Sequence, residues 1–159
     1  VSVFVSGCNH HCKNCFNPET WDFNYGEPFT KQTEDKIIAA MKPDHIKGFT
    51  LLGGDPFEPE NAKALAPFIA RLRAEYPNKS FWCFTGYDYE RDLLTGKLGD
   101  HDAVMSILGA LDVLVDGKFV EELKDLNLRF KGSSNQRTIL VQPSLKTDEV
   151  VLWDGVTPV

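Results

Sequence analysis

Short apolar runs separated by polar turns recur along the chain, and their periods predict strands alternating with helices. Val1–Ser6 is a run of β-branched and aromatic residues and predicts a strand. Lys31–Met41 predicts a helix, with Ile37, Ile38 and Met41 on one face and Thr33 as the candidate N-cap. Gly48–Leu52 reads as a short buried strand closed by the turn Gly53-Gly54-Asp55-Pro56. Glu60–Tyr76 carries the strongest helical period, through Leu65, Phe68, Ile69, Leu72 and Tyr76, and Pro67 is expected to kink it or shift its start. Further on come a strand at Ser80–Thr85, a helix at Asp102–Leu108 and a strand at Asp112–Val115. Val120–Leu126 predicts a weak helix, Thr138–Val141 a strand and Glu149–Trp153 a last strand.

This alternation predicts an α/β fold with a mainly parallel sheet and helical crossovers. Ligands in such folds gather at the carboxyl ends of the strands. The unusual residues fall there. A cysteine loop follows the first strand, Gly53-Gly54-Asp55 the second, Thr85-Gly86-Tyr87 the third and Asp116-Gly117-Lys118 the fourth. One such end is an ordinary turn, whereas four on one rim predict an active site.

A length of 159 residues suits one domain with one core over 1–159. A strand that opens at Val1, with no Met and no lead-in, leads us to expect natural residues before it. The formal charge of −6 gives no pull toward nucleic acid or an acidic membrane. No apolar run nears the ~20 residues that span a bilayer, and no secretory signal pattern precedes the cysteines, so a cytoplasmic location with reduced thiols is expected.

Three of the four cysteines follow the spacing Cys8-x3-Cys12-x2-Cys15. Thiolates suit iron–sulfur clusters and zinc. A closed zinc site needs a fourth ligand, which His10 or His11 could supply, but no second ligand pair follows. The two histidines read otherwise as surface residues of the loop. Cys83 lies in the apolar run Phe81–Phe84 and reads as core. On a cubane, three cysteines leave one iron open to a small molecule.

The triplet after a first strand resembles the radical S-adenosylmethionine (SAM) superfamily. That resemblance implies a [4Fe–4S] cluster on Cys8, Cys12 and Cys15, with SAM chelated by the open iron and split into a 5′-deoxyadenosyl radical. It also implies a small incomplete (β/α) barrel. Most of that superfamily has an aromatic residue before the third cysteine, whereas this chain has Asn14 there and Phe16 after Cys15. The run Cys8–Trp21 is similar instead to the anaerobic ribonucleoside-triphosphate reductase activating proteins. Leu52–Pro56, Thr85-Gly86-Tyr87, Val115–Phe119 and Gly132–Arg137 resemble further motifs of that family, in order.

The resemblance implies hydrogen abstraction from a glycine of the reductase, with a flavodoxin-like or similar electron donor. It implies that Gly53, Gly54 and Asp55 receive the SAM ammonium, and that Thr85 belongs to the same site. Phe16, with Asn14, is expected at adenine or ribose, Lys118 at the methionine carboxylate, and Asp116 at a ribose hydroxyl or the substrate loop. Asp116 and Lys118, two apart at a strand end, are expected to point to one side. Arg129, Lys131 and Arg137 are expected to support the last strand or dock the partner. Two rival readings are a radical SAM enzyme acting on a small molecule, of deazapurine-synthase type, and a non-catalytic zinc-binding adaptor.

Overall fold

The computed structural model describes residues 1–159. Five strands form one sheet in the order β1 (Ser2–Val5), β2 (Gly48–Gly53), β3 (Ser80–Phe84), β4 (Val113–Asp116) and β5 (Arg137–Leu140). The first four pair in parallel and β5 runs antiparallel beside β4. The predicted mainly parallel α/β architecture is therefore present. The carboxyl ends of β1 to β4 share one edge, with Val5 in register with Gly53.

Four helices accompany the sheet: α1 (Lys31–Ala40), α2 (Pro59–Glu75), α3 (His101–Ala110) and α4 (Val141–Thr147). The predicted face of α2 is buried through Leu65, Phe68, Ile69 and Leu72. It packs in one apolar cluster with Phe49 and Leu51 of β2, Phe81 and Cys83 of β3, and Leu114 of β4. Cys83 is fully buried, as its apolar context predicts. Alternate residues of the strands face the other way. There Phe4 is 58% exposed at the β1 edge, while Trp82 packs against Phe130 and Trp153 from the C-terminal segment.

Several local expectations are corrected. The N-cap of α1 is Thr30, and Thr33 is the N3 partner of a reciprocal capping box. Thr30→Ala is expected to cost about 1 kcal/mol in urea unfolding, without change at the strand ends. α2 runs unbroken through Pro67, which lies on its exposed face, where the carbonyl one turn back can take water. Val120–Leu126 holds only a 3-10 turn at Glu121–Leu123, because its Leu123 and Leu126 stay exposed and no apolar face docks on the core. Val141 opens α4 instead of ending a strand. Glu149–Trp153 makes a single bridge, Leu152 to Ile139. A π-helical turn at Tyr89–Leu93 has no counterpart in the sequence pattern.

Candidate active site at the strand ends

The cysteine loop leaves β1 through Gly7, whose φ of 107° turns the chain. His11 and Asn14 also take positive φ, at 49° and 58°, so the loop winds tightly between its cysteines. The 3-10 turn Pro18–Trp21 lies behind it. Gly7 donates to the Thr20 carbonyl at 2.7 Å, and Cys8 to that of Trp21 at 3.2 Å. His11 stacks on Trp21, ring centroids 4.4 Å apart. The Pro-Glu-Thr-Trp segment thus folds the cysteine loop.

Asp55 ties three strand ends together. Its fully buried carboxylate accepts from Phe57 N (2.9 Å), Thr85 Oγ1 (2.8 and 3.0 Å) and Gly86 N (2.8 Å), and lies 2.7 Å from His10 Nε2. His10 is therefore no surface residue: its side chain is 6% exposed and packs against Tyr87. The side chains of Asp55 and Thr85 are committed within the protein. Next to them the carbonyl oxygen of Gly54 accepts no protein hydrogen bond.

Two further residues hold this rim, and the sequence pattern does not mark either one. Asn61, at the start of α2, donates to the carbonyls of Ser6, Gly7 and Asp55 at 2.9 to 3.3 Å. Glu58, 1% exposed, accepts from the main chain and side chain of Asn9. Asn61 reaches Ser6 and Gly7, and Glu58 reaches Asn9, across about 50 positions, which no local period reveals. A Cβ on Gly54 would come within 2.5 Å of the Gly7 carbonyl oxygen and 2.8 Å of that of Thr20. Gly54→Ala is expected to lose about 1–3 kcal/mol of stability. Anaerobic iron analysis should show that most of its cluster loading is lost as well.

Cys8, Cys12 and Cys15 line one cavity of about 200 Å³, together with Trp21, Gly53 and Gly54. All four cysteines are free. Burial pushes the Cys8 thiol up to about 11, opposed by a hydrogen bond from the His10 main chain. Burial also raises Cys12, which the Phe119 main chain and the Lys118 charge pull back down. Metal binding must therefore displace protons, and the N–H groups and the lysine stand ready to stabilise the thiolates that result.

The donor spacing suits a cluster better than a single ion. Potential ligand atoms gather within 4.8 Å of one another at Cys8, His10 and Glu58, and at Asp88, Glu90 and Asp116, while the three cysteine sulfurs do not all lie within that distance. Sulfurs on one zinc, each about 2.3 Å from it, lie no more than about 4.6 Å apart. A cubane has room for wider thiolates. In the first tight set His10 is engaged by Asp55 and Glu58 by Asn9. In the second, Arg137 occupies the centre.

The family described as a 4Fe-4S single cluster domain matches residues 1–139. The chain is 45% identical over 138 residues to the anaerobic ribonucleoside-triphosphate reductase-activating protein of Salmonella typhimurium, covering 85% of this chain and 84% of the relative. The Escherichia coli K12 protein of the same name is likewise 45% identical over the same span. That of enterobacteria phage T4 is 34% identical over 137 residues, covering 86% and 81%. The chain belongs to the anaerobic ribonucleoside-triphosphate reductase-activating protein family. No solved structure matches it.

The remaining segments singled out in the sequence lie at the β4 end. Asp116 and Arg137 are cross-strand partners in the β4–β5 ladder. Arg137 donates to both Asp116 oxygens, at 3.0 and 2.6 Å, and Tyr89 N donates to the same carboxylate at 2.9 Å. Asp116 is 1% exposed and Lys118 exposed, and Gly117 between them turns the chain at φ 97°.

Gln136 and Asn135 reach back to the carbonyls of Gly117 and Lys118, and Lys131 to that of Gln136. Arg129 caps the Gly155 carbonyl. The Gly132–Arg137 segment therefore supports the Asp116–Lys118 turn. Phe16, 66% exposed, borders the cavity and a second groove of about 370 Å³ that shares Phe84, Phe119 and Gln136. Asn14, Asp116 and Lys118 do not line the cavity.

Proposed function

We propose that this chain activates an anaerobic ribonucleoside-triphosphate reductase by generating a glycyl radical on it. Cys8, Cys12 and Cys15 would hold a [4Fe–4S] cluster with one iron left to SAM. When bound, these groups supply one electron and a 5′-deoxyadenosyl radical that takes hydrogen from a glycine Cα of the reductase.

The chain's own residues position the reactants. The free Gly54 carbonyl, with Gly53 beside it, accepts from the ammonium of SAM. Lys118, whose charge acts on Cys12, meets its carboxylate. Phe16 offers an exposed ring to adenine, with Asn14 beside it. Asp55, Thr85 and Asp116 serve the same site by fixing the loops that carry these contacts.

The sheet is the core of a small incomplete barrel, and its uncovered face at β1 leaves room for a polypeptide loop. Residues 1–159 act as one domain around one apolar cluster. No helix is long and apolar enough to cross a membrane. A cytoplasmic setting with a flavodoxin-like donor completes the reading.

The observation that carries the proposal is the three-cysteine rim facing a carbonyl without a protein partner in one cavity. The rival readings, a small-molecule radical enzyme and a zinc adaptor, are not what the relatives' names describe. Anaerobic incubation with SAM, reductant and the reductase should give a protein-centred radical by electron paramagnetic resonance. SAM cleavage without a radical on the reductase would defeat the proposal.

A further inference from the structure

Glu58 has no part in binding the reactants, yet it lies directly behind the cysteine loop at 1% exposure. Its position follows from the turn at Asp55-Pro56, which starts α2 with Glu58 as N-cap and turns the side chain inward. Asn9 N donates to Oε1 at 2.9 Å and Asn9 Nδ2 to Oε2 at 3.1 Å. Both carboxylate oxygens therefore serve as acceptors, one for a main-chain and one for a side-chain N–H. A Glu58 carboxylate oxygen, Cys8 Sγ and a His10 ring nitrogen all lie within 4.8 Å of one another.

Adding an electron beside a fixed negative charge is unfavourable, and more so where water is excluded. Cluster potentials follow net charge, hydrogen bonds to sulfur and exposure. We propose that Glu58 holds the reduction potential of the cluster low, by fixing one buried negative charge behind Cys8. The proposal rests on the cluster reading above. Glu58 is a positioning and electrostatic residue here, touching neither SAM nor the reacting glycine.

The test is an anaerobic redox titration followed by electron paramagnetic resonance, on full-length wild type and Glu58→Gln matched for iron and sulfide. Glutamine keeps the shape, and the Asn9 amide can flip to pair with it. The variant is expected to be reduced about tenfold more readily at a given potential, an upward shift of about 59 mV for a one-electron couple. Glu60→Gln, which changes an exposed glutamate in the first turn of the same helix, should leave the potential unchanged.

A fully loaded Glu58→Gln with an unchanged or lowered potential overturns the proposal. Should Glu58→Gln fail to load, Glu58→Asp decides: loading with the native potential supports the role of the charge. Loss of loading there as well makes Glu58 a structural staple and overturns it. A wild-type protein without a four-iron cluster refutes the reading of the site itself and the proposal with it.

Discussion

Cys12→Ser is expected to abolish cluster assembly, while Cys83→Ser keeps iron near about four per chain, the content of a [4Fe–4S] cluster. The two thiols differ in setting more than in chemistry. Cys12 lies on the cavity rim, half-buried, with the Phe119 N–H and the Lys118 charge placed to stabilise its thiolate. Cys83 is sealed among the apolar residues of the core, where burial drives its thiol well above the usual range. A thiol that cannot ionise is neither a ligand nor a nucleophile. Serine is a poor ligand for iron, and losing one of three thiolates leaves a cubane with two protein anchors. At Cys83 the same change buries a hydroxyl and costs stability alone. Anaerobic iron and sulfide determination on both variants checks the contrast.

Arg137→Met is expected to destabilise the protein by about 3 kcal/mol, the lower end of what a broken buried pair costs, because the guanidinium side retains 29% exposure. The loss comes from Asp116, whose carboxylate would stay buried with only the Tyr89 N–H against it. Adding Asp116→Asn removes the orphaned charge and keeps an acceptor for Tyr89, so the double variant should recover much of the loss. Urea unfolding under anaerobic conditions measures both.

The pH dependence has a defined sign. The hydrogen bond from Arg137 holds Glu90 below its ordinary 4.5. Glu90's share of the stability is therefore complete above that value and is lost as pH falls through the depressed one. The gap between wild type and Arg137→Met should narrow in acid, modestly, since Glu90 is half-exposed and screened.

The strand ends were legible because parallel alternation sends every βα turn to one edge, so Cys8–Cys15, Gly53–Asp55, Thr85 and Asp116 had to come to that edge. The face of α2 was legible for the same kind of reason, a local period read directly from Leu65 to Leu72. The contacts that make the rim rigid were not. His10 on Asp55, Asn9 on Glu58 and Asn61 on the end of β1 join residues about 45 to 55 positions apart. Their polar side chains look like ordinary loop residues until the fold buries them. The two-residue repeat of a strand carries from Asp116 to Lys118 only while the pleat continues, and Gly117 turns the chain there at φ 97°. Thr30 and Thr33 are both plausible caps by type, and only the capping box tells them apart.

The central claim is that three thiolates hold a cubane whose fourth iron belongs to SAM. Anaerobic reconstitution followed by electron paramagnetic resonance of the reduced protein, with and without SAM, tests it most directly. The account predicts about four irons with matching sulfide, and a cluster signal that changes when SAM is added. One tightly held zinc in place of iron, or a four-iron signal indifferent to SAM, would contradict it.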